Sequence, residues 1–109
     1  MSRIIEIRSY NLKPGTRADF HAIVSERVLP MLKRWQTDVV AVGPSLQEDD
    51  SYYLMRCYAD LNDLQQQQDA FYGSDEWRQG PREAILALID SMASVVIAVD
   101  EATLAGLRR

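Results

Sequence analysis

Between Arg3 and Tyr10 apolar and polar side chains alternate, with Ile5, Ile7 and Ser9 on one face and Ile4, Glu6, Arg8 and Tyr10 on the other. A period of two is the mark of a strand, here with two unlike faces. Leu12-Lys13-Pro14-Gly15 predicts a turn, because proline presets its first corner and glycine accepts positive φ at the second. Thr16 is then placed to cap a helix with Asp19 in its first turn. At helical spacing Phe20, Val24, Val28, Met31 and Trp35 fall on one stripe, with Ile23 at its edge and His21 on the flank beside Val28 and Leu32. Arg27 projects onto the same stripe and must pair, point into a polar pocket or snorkel to water. Pro30 removes a helical hydrogen bond and predicts a kink or an end near Leu29.

The β-branched run Asp38 to Val42, closed by Gly43-Pro44, is followed by the acidic connection Leu46 to Ser51 and a second alternation over Ser51 to Asp60. Together they predict a hairpin, with Tyr53, Met55 and Cys57 on one side and Tyr52, Leu54, Arg56 and Tyr58 on the other. Asp60, with Asp63 three residues on, opens a helix that buries Leu61, Leu64, Phe71 and Tyr72. Gln65 and Gln68 share that stripe, so they bond backbone, bond each other or line a polar cavity. Gly73 has the position of a left-handed C-cap, and Gly80-Pro81 that of the N-cap and first residue of a last helix burying Ile85, Leu88, Ile89 and Met92, with Arg82 at its edge. Ala93 to Val99 is an unbroken apolar strand suited to the inside of a sheet. Asp100 to Arg109 is a polar tail with a weak helical pattern, expected to be an arm that reaches a neighbour.

Strand, helix, strand, strand, helix, helix, strand is the split βαβ order, an α+β, ferredoxin-like four-stranded antiparallel sheet with helices on one face. The face away from the helices is expected to carry Ile4, Tyr10, Leu54 and Tyr58 with half of the last strand. Apolar area of that kind predicts a symmetric dimer that stacks two sheets, with Glu6, Arg8 and Arg56 paired inside the interface. The 109 residues make one domain, 1–109, and 47% hydrophobic with 26% charged residues is the balance of an ordinary globular protein. A net charge of -4 with dispersed basic residues argues against nucleic acid or an anionic membrane as partner. A lone cysteine, Cys57, excludes an internal disulfide and suits a reducing compartment, and the opening residues lack the apolar stretch of a signal peptide. The expectation is a cytoplasmic protein.

Candidate chemistry gathers in the aromatic elbow of residues 69–82, which sets Phe71, Tyr72 and Trp77 close to Arg78 and Arg82. Such residues serve equally as glue in a core or subunit interface and as walls of a small-molecule pocket. The chain has no Gly-rich phosphate loop, no cysteine pair and no histidine pair at metal spacing, so neither a nucleotide nor a metal is expected. His21, the one histidine, is either a partly buried structural side chain or the candidate acid-base residue. In a pocket between sheet and helices, Trp35, Tyr53, Phe71 and Trp77 would be apolar walls. His21, Gln68, Arg78 and Arg82 would orient an oxygenated aromatic ligand and stabilise its enolate or phenolate without a cofactor.

The opening Ile5-Glu6-Ile7-Arg8-Ser9-Tyr10-Asn11-Leu12-Lys13-Pro14-Gly15 and the later Phe71-Tyr72-Gly73-Ser74-Asp75-Glu76-Trp77-Arg78 resemble the NIPSNAP family, and the resemblance spans nearly the whole chain. It implies a ferredoxin-like fold paired into a dimeric α+β barrel. It does not imply a reaction, since members are mostly uncharacterised. Roles in vesicle traffic or mitochondrial quality control are proposed for longer eukaryotic members, and a targeting role is not expected to carry over. In the wider dimeric α/β-barrel superfamily, cofactor-free monooxygenases of aromatic polyketides and quinols, haem-degrading enzymes and haem peroxidases all use a cleft between sheet and helices. The expected function is therefore a homodimer that binds a small aromatic or acidic molecule or a partner, with a cofactor-independent monooxygenase acting on an aromatic or quinol substrate as the alternative.

Overall fold

A computed structural model describes residues 2–109. Strand β1 (Arg3–Leu12) leads through the Pro14-Gly15 turn, with Gly15 at φ 78°, into helix α1 (Arg17–Ile23), a π-helical turn (Val24–Val28) and helix α2 (Leu29–Arg34). Strands β2 (Asp38–Pro44) and β3 (Ser51–Tyr58) form the hairpin, followed by α3 (Leu61–Tyr72), α4 (Asp75–Arg78), α5 (Arg82–Leu86), β4 (Ile89–Val99) and α6 (Glu101–Leu107). The strands lie antiparallel in the order β2-β3-β1-β4, which is the ferredoxin-like α+β plan.

The helical path begun by α1 does not end at Pro30. The Leu29 N–H donates to the Val24 carbonyl, five residues back, and the wider π turn accommodates the N–H that Pro30 lacks. The helical path therefore continues to Arg34, and its stripe of Phe20, Val24, Val28 and Met31 is buried while Arg27 stays exposed. Thr16 stands at the N-cap position but its hydroxyl donates to the Lys13 carbonyl at 2.7 Å instead of capping. Asp60 does cap α3, accepting from the Asp63 N–H at 2.8 Å, while Asp63 returns the bond to the Ala59 N–H at 2.9 Å. Leu61 on that helix is exposed.

The two sheet faces are the reverse of the expected assignment. Tyr10, Leu12, Tyr52 and Leu54 face the helices and pack with Phe20, Val24, Leu32, Phe71 and Trp77 in the main core. Ile5, Val40, Cys57 and Val99 point the other way and form a second core with Leu104 of α6, flanked by Ile7, Met55 and Leu107. The tail is thus no arm reaching outward: α6 folds back on its own sheet, where Asp100 caps it through the Thr103 N–H at 2.7 Å and Arg108 grips Asp38 with two bonds of 2.7 and 2.8 Å.

Two further expectations change at the chain's end. Helix α5 stops at Leu86, and Ile89 to Met92 extend β4, because β1 offers them a ladder as far as Leu12, where the register shifts. Strand β4 lies at the edge of the sheet, and its apolar residues are exposed on both faces, Val95 and Ile97 on the α6 side and Met92 and Val96 on the other.

Candidate functional site

The helix-facing surface of β1 and β3 carries a charged cluster within an otherwise apolar layer. Glu6 and Arg56 are directly opposed across the two strands and both are buried. The Arg56 Nη2 donates to Glu6 Oε1 at 2.6 Å and its Nε to the same oxygen at 3.2 Å. Arg8, two residues along the same face, donates through Nη2 to Glu6 Oε2 at 3.3 Å and to Gln68 Oε1 at 3.3 Å. Gln68 of α3 donates to Glu6 Oε2 at 2.9 Å, so an amide on the buried stripe of a helix meets a carboxylate on the sheet. Burial raises the Glu6 pKa, but the Arg56 charge, the Gln68 bond and the Arg8 charge outweigh it and hold the carboxyl below its ordinary value. The expected interfacial ion pairs are therefore internal, between sheet and α3.

Tyr72, the last residue of α3, closes the cluster. Its hydroxyl oxygen accepts from Nη1 of Arg8 and from Nη1 of Arg56, each at 2.9 Å. Both acceptor positions of the phenol oxygen are then occupied, and its own O–H remains to be donated. The Arg8 Nε–H is buried and has no partner in the protein, alone in this among the side-chain atoms of the described residues.

The elbow positions this cluster's neighbours. Gly73 ends α3 at φ -85°, right-handed rather than left-handed, and Pro81, not Gly80, is the residue before α5. The glycines are needed for closeness: a Cβ at Gly73 would meet the Asp69 carbonyl at 2.8 Å, and one at Gly80 the Glu76 carbonyl at 2.3 Å. Ser74 caps the four-residue α4 through the Trp77 N–H at 3.2 Å, which turns Trp77 inward. There its ring lies 5.3 Å from that of Tyr72 and 5.5 Å from that of Phe71, and Glu76 ties the outside of the elbow to α2 through Arg34 and the Trp35 indole N–H at 2.7 Å.

Beside the elbow opens a cleft of about 330 Å³ between α4, α5 and the β1–β4 edge, lined by Arg8, Tyr10, Tyr72, Trp77, Arg82, Ile85, Leu86, Ile89 and Met92. Tyr10, Tyr72, Trp77 and Ile85 also line a small void of about 30 Å³ among the core side chains. Burial raises the Tyr10 pKa and keeps that side chain a neutral phenol.

Of the residues singled out from sequence, Trp77 and Arg82 line the cleft and Gln68 holds the charged cluster beneath it. Phe71 is core behind Trp77. Trp35 stands at the outer side of the elbow, edge-on to Phe71, and Arg78 is exposed outside the cleft lining. Tyr53 is on the opposite sheet face, in a broad groove with Ser9, Leu46 and Arg109. His21 is not in the cleft: its Nδ1 is 2.7 Å from the Tyr52 hydroxyl, with Ser25 Oγ 3.4 Å from Nε2. Arg8 and Tyr10 are the polar cleft residues that sequence reasoning missed, and Tyr72, placed in the elbow, joins them there. The available signal was Gln68, whose place on a buried stripe requires a polar partner on the facing sheet. Among the described residues no cluster of three His, Cys, Asp or Glu side chains could hold a metal ion.

The family model for NIPSNAP proteins matches residues 5–100. The chain belongs to the NIPSNAP family. Among solved structures, this NIPSNAP chain is similar to a NIPSNAP family protein of Agrobacterium tumefaciens at 15% identity and TM-score 0.85, covering 94% of this chain and 90% of that one. It is similar also to an uncharacterised NIPSNAP-like domain protein of Burkholderia xenovorans, at 17% identity and TM-score 0.83 over 91% of this chain and 86% of the other. A protein of Bordetella bronchiseptica provisionally assigned to antibiotic biosynthesis monooxygenases shares the fold at 22% identity and TM-score 0.68, over 93% and 98% of the two chains. At such identities the likeness of these structures is one of fold. No protein in the curated set matches this NIPSNAP chain in sequence.

Proposed function

We propose that this NIPSNAP chain acts as a homodimer that binds a small aromatic or acidic molecule in the cleft beside Trp77. The cleft itself carries the reading: a concavity with apolar and aromatic walls and a few convergent polar groups is the usual form of a small-molecule site. Its polar floor of Arg8, Tyr72 and Arg82 supplies orientation, and Trp77, Ile85, Ile89 and Met92 supply contact area. Dimerisation is supported by the exposed Val95 and Ile97 on the α6 side of β4, continuous with Ile7 and Met55. The buried, unpaired Cys57 supports a reducing cytoplasmic setting. Among the described residues no helix is long and apolar enough to cross a membrane.

The test is a titration of naphthalene-sized aromatics followed by Trp77 fluorescence and melting temperature, with Trp77→Phe as the optical control. Saturable binding that Ile89→Arg abolishes supports the cleft; binding that survives Ile89→Arg overturns it. Sedimentation of Val95→Glu/Ile97→Lys should give a monomer, and an unchanged mass refutes the proposed interface.

One observation favours an enzymatic second reading. Tyr72, whose oxygen accepts from both arginines and whose O–H is left to donate, lines the apolar cleft together with Arg8 and Arg82, an arrangement able to stabilise an enolate or phenolate during cofactor-independent oxygenation. Oxygen uptake with a quinol or an anthrone should then fall in Tyr72→Phe and Arg82→Ala and persist in His21→Ala. Uptake no faster than in buffer removes this reading.

A further inference from the structure

The buried charge beneath the cleft does not balance. Arg8 and Arg56 are two guanidinium groups, and Glu6 is the one carboxylate bonded to them. The Arg56 side chain is 2% exposed and Arg8 13%, so little of either charge is dissipated in water. Gln68 and Tyr72 complete the shell of hydrogen bonds but bring no negative charge. An unmatched charge in such a place is costly, and the cost falls when a counter-ion comes close. The cleft adds to the excess, since its lining includes a third guanidinium, Arg82, and no acidic residue.

The donors are as one-sided as the charge. The Arg8 Nε–H lacks an acceptor, and the Tyr72 oxygen has both acceptor positions filled, so it can only donate. A neutral ligand would accept a bond from Tyr72 without reducing the net positive charge. A carboxylate or an ionised enol would do both, and charge-assisted bonds of this kind are about twice as strong as neutral ones. The remainder of the wall, Tyr10, Trp77, Ile85, Leu86, Ile89 and Met92, is uncharged.

From this we infer that the molecule bound in the cleft is a monoanion: a small aromatic or aliphatic body bearing one carboxylate or enolate, its charged group beside Arg8, Tyr72 and Arg82 and its apolar body against Trp77 and Ile89. The inference rests on the binding reading above and narrows it from an aromatic or acidic ligand to one whose negative charge is required.

The experiment compares matched probes that differ only in charge, 2-naphthoate and 2-naphthamide, by calorimetry on the full chain at neutral pH in low salt. The acid should bind at least about tenfold more tightly than the amide. Arg82→Gln, at an exposed position where folding is not at risk, should cut that ratio severalfold, as should added salt. Arg8→Met should abolish it, with thermal unfolding confirming that the variant is folded. Equal binding of acid and amide, or a ratio unmoved in Arg82→Gln and Arg8→Met alike, overturns the charge requirement and leaves the cleft reading standing. Failure of both probes to bind overturns the two together.

Discussion

The imbalance around Glu6 makes an ordering of variants calculable. Replacing Glu6 by Gln preserves shape but leaves Arg8 and Arg56 buried side by side with no counter-charge, since Glu6 is the carboxylate both are bonded to. Removing one partner of a buried ion pair typically costs about 3–5 kcal/mol, and here two cations are orphaned at once, so the upper end applies. Arg56→Met is the opposite case. It leaves Glu6 neutralised by Arg8 and bonded by Gln68 at 2.9 Å, and fills the space with an apolar side chain of similar length. Its cost is the loss of bonds to Glu6 and Tyr72, about 1–2 kcal/mol after exchange with water. The double variant Glu6→Gln/Arg56→Met carries a single buried charge, Arg8, as much excess charge as the parent, and should recover part of what Glu6→Gln loses. Urea unfolding at one fixed protein concentration reads all four proteins, and for a domain of this size each kcal/mol is roughly 4–8 °C in Tm. A pH series adds a check of sign. Glu6 is held below its ordinary value of 4.5 in the folded chain, so its contribution is present above that value and fades as pH falls through the lower folded one. Glu6→Gln should flatten this acid limb. Arg56→Met costing more than Glu6→Gln, or a strictly additive double variant, would refute the charge argument.

Two further outcomes follow from separate parts of the molecule. The Tyr52 hydroxyl, pushed up to about 12 by burial from 10.0, favours folding fully below pH 10 and loses that contribution as pH rises through 12. The phenolate absorbance of Tyr52→Phe should lack one late step, and an unchanged titration above pH 11 would contradict the placement. On the outer face, Leu104→Ala should cost about 2–4 kcal/mol because the leucine is buried among Ile5, Val40, Cys57 and Val99. Arg108→Ala should cost about 1 kcal/mol or less, since its pair with Asp38 is exposed to water; equal costs in thermal melts would show that α6 is held by charge rather than by packing.

Alternation and turn chemistry made the sheet legible, because strands β1 and β3 keep a strict period of two and Pro14-Gly15 and Gly43-Pro44 punctuate them. Period alone cannot say which face the helices cover. Both faces of β1 and β3 hold large apolar residues, so the face that carries Glu6, Arg8 and Arg56 suits a stacked dimer interface as well as a layer of helices. The error was correctable from Gln68, a polar residue on a helical stripe that had to face something polar. The end of α5 was illegible for a different reason: Ile85, Leu88, Ile89 and Met92 fit helical spacing, yet the end of β1 offers Ile89 to Met92 an antiparallel ladder, and tertiary pairing overrides the local pattern. The candidate site was half visible. Trp77 and Arg82 announced themselves by composition, whereas Arg8 and Tyr10 enter the cleft from a strand more than sixty residues away in sequence, a juxtaposition that only the sheet order creates.

That order also constrains how the chain is made. Strand β1 is synthesised first but lies between β3 and β4, and Arg3 pairs with Val99. Its second neighbour begins only at Ile89, so the growing chain holds an apolar strand with one open edge until β4 has emerged. A chain ending before Ile89 would therefore hold the hairpin and helices α1 to α5 but neither β4 nor α6, leaving its central strand open at one edge and the outer face of the sheet uncovered.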